Sequence, residues 1–229
     1  MNCVILQPSY IPWRGYFHQI QKADVFVFYD DVQYDKHGWR NRNRIKTPQG
    51  PQWLTIPARS AGNIERRRTI QEIEIDWTRP WNRTHLASLR QAYRRAPFYA
   101  ECEPFLNDIY ARTPSHLAPF TIEVTIELAR RLGVGHTRFA RSSDLGIPGR
   151  RTDRLIAIVK HLGCDRYVSG PSAREYLEEQ RFVEAGIALE YMQYDYPEYP
   201  QLYPPFDANV TILDLLLMTG PDAPKYIWG

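Results

Sequence analysis

The sequence predicts an α/β fold: a mostly parallel, twisted sheet flanked by helices, of the Rossmann-like kind. Short apolar segments alternate along the 229 residues with segments whose apolar residues recur at helical spacing. Residues 23–29 are apolar on both faces, which is typical of a central strand in a parallel sheet. A strand, a helix and a second strand open the chain, and such units close with a right-handed crossover. We therefore predict a single α/β domain over residues 1–229, with a helical or mobile insertion around residues 58–135.

The first half of the chain opens with an apolar strand and a turn that cannot be helical. Pro8 and Pro12 exclude a helix there, because proline fixes φ and lacks an N–H. Residues 58–69 are polar and rich in arginine, which is typical of a mobile excursion. In order, the predicted elements are a strand at 3–6, a helix at 13–22, strands at 23–29 and 51–57, an amphipathic strand at 70–75, and helices at 80–95, 106–110 and 117–132.

The second half of the chain repeats the alternation of strands and helices. Gly163 ends one amphipathic helix, since glycine readily adopts the conformation that follows a helix. Residues 197–205 are rich in proline and tyrosine and predict a loop. In order, the predicted elements are a strand at 137–140, a polar loop to residue 150, a helix at 152–163, a strand and turn at 165–170, a helix at 172–179, a strand at 188–194 and a closing helix at 211–218.

Composition and charge exclude several classes of protein. No apolar run approaches the roughly 20 residues that a membrane helix needs, and no basic-plus-apolar leader opens the chain. The cysteines form no CxxC pair and the histidines no HxH, HxxH or HExxH spacing, so we expect a cytoplasmic location and no metal site. Lys and Arg number 16 against 8 Asp and Glu in residues 1–100, but 13 against 18 in residues 101–229. The first excess reflects either a bias towards arginine or a cationic face for phosphate, nucleotide or RNA.

Polar side chains are dense between residues 30 and 46, directly behind the predicted strand 23–29. A connecting loop needs little charge, whereas this segment carries three acids, amides, a histidine and five cations. Arginine forks match phosphate or carboxylate, and amides read ligand edges through paired donors and acceptors. Loops at strand ends usually carry binding groups. The candidates are Asp31, Gln33, Lys36, His37, Trp39, Asn41, Arg42, Asn43 and Lys46, with Arg40 and Arg44 as further phosphate contacts.

The turn at residues 7–16 is a second candidate, at the end of the first strand. Gly15 lets the backbone approach a ligand near a helix N-terminus, where free N–H groups favour an anion, and Tyr10 and Trp13 would stack on a base or sugar. The layout resembles the HxGH turn of nucleotidyltransferases and class I synthetases, although both histidines are missing. Rigid packing of the turn by its aromatic residues is the alternative. Gln7 and Tyr16 complete this set of candidates.

The second half holds three further candidate segments. Arg151 and Thr152 begin a predicted helix, where Thr152 either caps the helix or joins Arg151 in holding a phosphate. Ser169 and Gly170 follow a strand and would hold a ligand through backbone amides, although they form no GxSxG nucleophile elbow. Gln201 lies in the tyrosine-rich loop, which either packs against the sheet edge or covers it.

Several short patterns occur together over nearly the whole chain. They are Gln7-Pro8-x-Tyr10-x-Pro12-Trp13-x-Gly15-Tyr16-Phe17, Asp31-Val32-Gln33-Tyr34-x-Lys36, Trp39-x-Asn41-Arg42-Asn43-x-Ile45-Lys46, Trp53-Leu54-Thr55-Ile56-Pro57, Arg151-Thr152, Tyr167-x-Ser169-Gly170 and Tyr199-x-Gln201. With these patterns the chain resembles the WbqC-like family. The family pattern specifies the residue at position 37 less strongly than its neighbours. The resemblance therefore lowers the weight of His37 and raises that of Asp31, Lys36 and residues 41–43.

The resemblance implies a biological context but does not define the reaction. WbqC-like proteins are associated with bacterial O-antigen and other surface-polysaccharide gene clusters. We therefore expect a transferase that adds an acyl or aminoacyl (glycyl) group to an amino sugar carried on dTDP or UDP. Asp31 or His37 would take a proton from the attacking amine, and Lys36 is the third catalytic candidate.

The donor, the cofactor and two other functions stay open at this point. The acyl donor is either aminoacyl-tRNA or acyl-CoA, and Arg66, Arg67 and Arg68 would contact the backbone of a tRNA. The sequence identifies no cofactor and predicts no membrane insertion. The alternatives to the transferase are a nucleotidyltransferase or ATP-dependent ligase built on the HxGH-like turn, and a non-catalytic protein that binds sugar nucleotides.

Overall fold

The computed structural model describes residues 1–35, 38–59 and 68–229. Within these residues five strands form one parallel sheet and two more form an antiparallel hairpin. In chain order the strands are β1 (Asn2–Leu6), β2 (Val25–Phe28), β3 (Arg42–Thr47), β4 (Gly50–Thr55), β5 (Arg138–Arg141), β6 (Arg166–Ser169) and β7 (Ala188–Tyr191). The hairpin consists of β3 and β4.

Helices cover both sides of this sheet. In chain order they are α1 (Arg14–Lys22), α2 (Trp81–Tyr93), α3 (Tyr99–Ala111), α4 (Leu117–Arg131), α5 (Ser142–Leu145), α6 (Arg151–His161), α7 (Glu179–Glu184) and α8 (Ile212–Thr219). Short 3-10 turns lie at Ile70–Glu72, Pro171–Glu175 and Gly220–Tyr226. In the described part of the chain, no helix is long and apolar enough to cross a membrane.

The sheet has the spatial order β5-β2-β1-β6-β7, so β1 lies at its centre. Counted along the sheet strands alone, this is the order 3-2-1-4-5 of a Rossmann-like, doubly wound sheet. The chain builds outward from β1 through β2 and β5 on one side, and then through β6 and β7 on the other. The predicted fold class is therefore confirmed. The direction of winding reverses between β1 and β6, where such folds open a crevice beyond the carboxyl ends of the strands.

Alternate residues of the central strands enter two separate cores, because neighbouring side chains of a strand point to opposite faces. Val4, Phe26 and Phe28 belong to the larger core, with α1 to α4, α8 and the hairpin. Ile5 and Val27 belong to the smaller core, with α6 and α7. All four residues of β2 are buried, as its double-sided apolar character predicts.

The predicted strand at 70–75 is wrong, because the first residues form a 3-10 turn instead. The Glu72 carboxylate accepts hydrogen bonds from the Thr69 backbone N–H at 2.7 Å and from the Thr69 hydroxyl at 2.8 Å. This capping box draws the chain into a turn at the point where a strand would have to begin. Ile70 and Ile73, three residues apart, are both buried in the core.

The predicted helix at 172–179 is also wrong, since the chain forms a 3-10 turn there and α7 begins only at Glu179. The backbone N–H of Glu178 donates to the Thr152 hydroxyl at 3.3 Å and is not available for a helix over these residues. The helix predicted at 106–110 is longer, because α3 continues through Pro104. Residues 42–47 form a strand of the hairpin, where we expected only a polar loop.

A buried hydrogen-bonded cluster ties the turn after β1 to α2 and α3. The Tyr10 hydroxyl lies 2.6 Å from the Tyr110 hydroxyl and 2.9 Å from Nδ1 of His85. Burial lowers the pKa of His85 to about 4, although a hydrogen bond to the Thr55 backbone acts in the opposite direction. The folded protein therefore favours the neutral imidazole.

Acid should weaken the fold through His85. Because its folded pKa of about 4 lies below the ordinary 6.5, its contribution is fully present above pH 6.5 and is lost as the pH falls towards 4. The pKa difference corresponds to a loss of about 3 kcal/mol in the free energy of unfolding. Urea titrations across this range should show a flatter pH dependence for His85→Gln than for the wild type. The variant His161→Gln, at an exposed position on α6, should keep the wild-type dependence.

Candidate functional site

A cavity of about 1080 Å³ opens beyond the carboxyl ends of β1 and β6. Gln7, which directly follows β1, and Gly170, which directly follows β6, both line it. β1 and β6 are neighbours in the sheet, so the two residues meet although they are far apart in the sequence. The cavity therefore occupies the crevice where the sheet reverses its winding, the usual ligand position in this type of fold.

Many of the residues predicted from the sequence lie on the wall of this cavity. They are Gln7, Trp13, Tyr16, Trp39, Asn43, Arg151, Thr152, Ser169 and Gly170. Arg40, expected as a phosphate contact, lines the cavity as well. Sequence reasoning missed other wall residues, notably Ser9, Gln19, Tyr176, Glu178 and Tyr194. Tyr176 and Glu178 lie in a segment predicted as a helix, and Tyr194 ends a predicted strand.

Aromatic rings form much of the cavity wall. Trp13 and Tyr194 meet edge to face, with ring centroids 5.0 Å apart. The Tyr194 hydroxyl accepts a hydrogen bond of 2.8 Å from the Gln19 side chain. Gly15 serves this packing, because a Cβ at that position would lie 2.4 Å from the Trp13 ring. Gly15 is therefore needed for the observed position of the Trp13 ring in the cavity wall.

Arg14, inside the segment that resembles an HxGH turn, points away into packing. Its Nη1 donates to the backbone oxygens of Pro197 at 2.8 Å and Tyr226 at 3.2 Å. Its guanidinium also lies 4.7 Å from the centroid of the Tyr196 ring. Arg14 is buried and does not line the cavity.

The turn between β1 and α1 has an unusual backbone that Asn43 holds in place. Ile11 has a φ of +41°, a left-handed conformation that a β-branched residue rarely adopts. The Asn43 amide donates to the backbone oxygens of Tyr10 at 3.2 Å and Ile11 at 2.6 Å. Arg151, on the opposite wall, has a φ of +51°. Such strain persists only where surrounding contacts determine the conformation.

Arg40 brings a positive charge into the cavity. Its Nε is buried and has no hydrogen-bond partner among the described residues. Burial lowers the pKa of the Arg40 guanidinium, while the negative charge of Asp35 acts in the opposite direction. Arg151 adds a second, exposed cation. In the described part of the wall Glu178 is the only carboxylate, so the site favours an anionic ligand.

The predicted catalytic acid Asp31 is engaged away from the cavity wall. It forms an ion pair with Arg154 and accepts a hydrogen bond of 2.6 Å from the Ser142 hydroxyl. Burial acts to raise the pKa of Asp31, but the hydrogen bonds from Arg154 and Ser142 outweigh it, and the pKa is lowered. Asp30, fully buried, accepts hydrogen bonds from Ser143 and Arg141. The acid pair thus fastens α5 to the end of β2.

The other two catalytic candidates, Lys36 and His37, lie outside the described residues, as do Arg66 and Arg67 of the basic run. Arg68 lies within the described part of the chain but not on the cavity wall. Among the residues that the structure describes, no cluster of His, Cys, Asp and Glu could hold a metal ion.

Several predicted binding residues lie away from the cavity wall, and most of them are engaged in packing. Tyr10 is 1% exposed, within the cluster around His85. The Asn41 amide donates to the Ile56 backbone oxygen at 2.8 Å. Gln33 is exposed and forms an isolated bridge with Thr69. Arg42 stacks over the Trp53 ring at 4.6 Å on the hairpin surface.

Lys46 and Gln201 belong to a buried network around Asp214, which was not among the predicted site residues. Asp214 is fully buried and accepts hydrogen bonds from the Tyr93 hydroxyl at 2.8 Å and the Gln201 amide at 2.9 Å. The Lys46 ammonium donates to Gln201 at 3.3 Å and to the backbone oxygen of Pro205. The network joins the hairpin, α2, the 197–207 loop and α8.

Comparisons with known proteins agree over nearly the whole chain. A model described as the WbqC-like protein family matches residues 7–226. A protein of Mycobacterium tuberculosis (strain ATCC 25618 / H37Rv), named "Uncharacterized protein Rv1507c", is 40% identical over 225 residues, which are 97% of this chain and 96% of that protein. No solved structure matches the chain significantly. The family match includes every described residue of the cavity wall except Ile5 and Leu6.

Proposed function

This chain belongs to the WbqC-like protein family, and from that membership we propose that its cavity binds a nucleotide-linked amino sugar and that the protein transfers an acyl or aminoacyl group to the sugar amine. The setting would be the synthesis of a bacterial surface polysaccharide, which the family resemblance implies. One observation carries the proposal: the wall of the cavity at the winding reversal includes the cationic side chain of Arg40, whose Nε is buried without a hydrogen-bond partner among the described residues.

The size and the charges of the cavity fit such a ligand. About 1080 Å³ is at the upper end of ordinary small-molecule sites and leaves room for a base, two sugars and a diphosphate. Arg40 and Arg151 would contact the diphosphate, since arginine forks match phosphate oxygens. Glu178 would pair with the ammonium group of the amino sugar, and Trp13 or Trp39 would stack on a ring of the ligand.

The proposed transfer exchanges one acyl bond for another. The free amine of the sugar attacks the acyl carbon, and a carbon–nitrogen bond forms while the bond from that carbon to the donor oxygen or sulfur breaks. The proton lost by the amine ends on that donor atom, so the donor leaves as an alcohol or a thiol. Arg40 would hold the acceptor at its diphosphate, and this orientation would supply much of the rate enhancement.

A second candidate function, a non-catalytic binder of sugar nucleotides, is favoured by one specific observation. No histidine and no carboxylate other than Glu178 lies on the cavity wall within residues 1–35, 38–59 and 68–229. Asp31 is committed to Arg154 and Ser142, and its lowered pKa makes it a weak base.

Calorimetric titration tests the binding step that both functions share. dTDP- and UDP-linked amino sugars should bind, whereas the same sugars without the nucleotide should not. If neither the dTDP-linked nor the UDP-linked sugar binds, both the transferase and the non-catalytic binder are refuted. Mass spectrometry after incubation with acyl-CoA or aminoacyl-tRNA then separates them, because only the transferase gives an N-acylated nucleotide sugar. Magnesium-dependent release of pyrophosphate from ATP would point to a ligase instead.

Glu178 should determine the preference for an amine in the ligand. We expect Glu178→Gln to lose about tenfold in affinity for the amino sugar, because the carboxylate no longer offsets the ammonium charge. Affinity for the analogue with a hydroxyl in place of the amine should stay unchanged. Glu179→Gln is the matched control, since this neighbouring acid does not line the cavity. An unchanged preference for the amine in Glu178→Gln would show that Glu178 does not pair with the ammonium group of the ligand.

A further inference from the structure

Two tryptophans lie exposed next to each other at the β3–β4 hairpin. Trp39 is 43% exposed and Trp53 is 44% exposed, and their ring centroids are 5.2 Å apart. The other four tryptophans of the chain are buried or half-buried. Two neighbouring indole rings in water are costly for stability and typically mark a binding surface.

Two arginines accompany these rings. Arg42 and Arg44 are two residues apart on β3, so their side chains leave the same face of the hairpin. The Arg42 guanidinium lies 4.6 Å from the centroid of the Trp53 ring, and that of Arg44 lies 5.7 Å from Trp53 and 6.0 Å from Trp39. We call this surface the hairpin platform; its residues are Trp39, Arg42, Arg44 and Trp53.

The charged side chains of the hairpin itself are of one sign. Residues 38–59 contain five Lys and Arg and no Asp or Glu. Lys46 is buried near Asp214 and Arg59 pairs with Glu74, so the positive charge of the platform comes from Arg42 and Arg44. This charge favours an anionic partner.

The hairpin platform continues into the cavity. Trp39 lies both on the platform and on the cavity wall, and the next residue, Arg40, reaches inside. Arg44 donates two hydrogen bonds, at 3.2 and 2.9 Å, to the backbone oxygen of Asn209, another wall residue. A chain that lies on the platform would therefore have its end at the cavity mouth.

From these observations we infer that the hairpin platform binds the unpaired 3′ end of an RNA and that the acyl donor is an aminoacylated RNA. Aromatic faces beside cations are the combination that holds single-stranded nucleic acids, because every base has a π face and every nucleotide a phosphate. The inference rests on the proposed function and names its donor. The acyl carbon would leave the ribose oxygen of the terminal nucleotide and join the sugar amine. The RNA would depart with a free ribose hydroxyl that has taken up the amine proton.

Fluorescence anisotropy with two RNA hairpins tests this inference. One hairpin has a short unpaired 3′ end that terminates in CCA, and the other has the same duplex with a blunt end. The unpaired end should bind about tenfold more tightly, since stacking on an aromatic residue contributes about that factor per base. Binding should weaken as salt concentration rises, with a shallower dependence in Arg44→Gln because one phosphate contact is lost.

Trp53 separates this inference from the proposed function, because it lies on the hairpin platform but not on the cavity wall. Trp53→Ala should lose about tenfold in affinity for the unpaired RNA and keep the wild-type affinity for the nucleotide sugar. Arg130→Gln, at an exposed position on α4 that does not line the cavity, should change neither affinity.

Equal binding of the two RNAs, or an unchanged RNA affinity in both Trp53→Ala and Arg44→Gln, would overturn the inference. An anionic oligosaccharide that binds the platform where RNA does not would overturn it as well. Intact binding of the nucleotide sugar in those cases would leave the proposed function standing. A failure of nucleotide-sugar binding in the wild type would count against the proposed function itself.

Discussion

Asp214→Ala is expected to lower the free energy of unfolding by about 3–5 kcal/mol, a large part of the stability of an ordinary domain. Asp214 is fully buried on α8, and its carboxylate accepts hydrogen bonds from Tyr93 and Gln201. It is also the negative charge that offsets Lys46, which is itself 3% exposed. Alanine would leave a buried ammonium uncompensated and two donors without their acceptor, and each of these changes is costly.

Urea denaturation of three variants would measure this effect. Asp214→Asn should fall between the wild type and alanine, because an amide keeps the shape and one acceptor but neither the charge nor the second acceptor. Asp222→Ala is the matched control. Its carboxylate is exposed and pairs with Lys225, so the change should be at most about 1 kcal/mol. A loss in Asp214→Ala no greater than in this control would show that the network contributes little to stability.

The sequence indicated Asp214 only weakly, although a signal was present. The helix Ile-Leu-Asp-Leu-Leu-Leu-Met-Thr is apolar on all sides, and a helix of that kind is buried. A single acid within it must therefore find partners in the core. Its partners Tyr93, Gln201 and Lys46 come from three distant segments, and no local pattern relates them.

The position of the cavity could be predicted from the sequence, because it depends on a local rule. Polar residues directly after β1, β2 and β6 lie at the carboxyl ends of parallel strands, and these ends share one edge of the sheet. Gln7, Ser169 and Gly170 reach the cavity for this reason. The strand order itself comes from contacts between distant segments and was open until the structure was known.

The polar segment 30–46 shows why the individual residues were harder to predict. The density of hydrogen-bonding groups indicated a ligand site, but many of those groups bond to the protein itself. Residues 42–47 form a strand, and its two-residue period turns Arg42 and Arg44 outward and Asn43 and Ile45 inward. If residues 42–47 had been predicted as a strand, its alternation would have placed Arg42 and Arg44 on the surface and Asn43 in the interior.

Arg40→Met is expected to reduce the affinity for the nucleotide sugar by about 30-fold to 1,000-fold, which corresponds to about 2–4 kcal/mol for a partly buried charge that contacts a diphosphate. The same change should leave the unfolding free energy of the ligand-free protein unchanged or raise it by about 1 kcal/mol. The reason is that the buried Nε has no hydrogen-bond partner among the described residues, and methionine removes this polar atom while filling similar space.

A loss of ligand affinity without a loss of unfolding free energy distinguishes a binding residue from a structural one. A structural arginine would lose stability and binding together, whereas Arg40 should lose binding alone, as expected where a site keeps a destabilised group for its ligand. Arg40→Lys should retain part of the affinity, since it keeps the charge but not the planar fork. Arg42→Met controls for net charge, because Arg42 lies close by but not on the cavity wall. Calorimetric titration and urea denaturation of all three variants measure both quantities. An Arg40→Met protein that binds as tightly as the wild type would show that the anionic part of the ligand lies elsewhere.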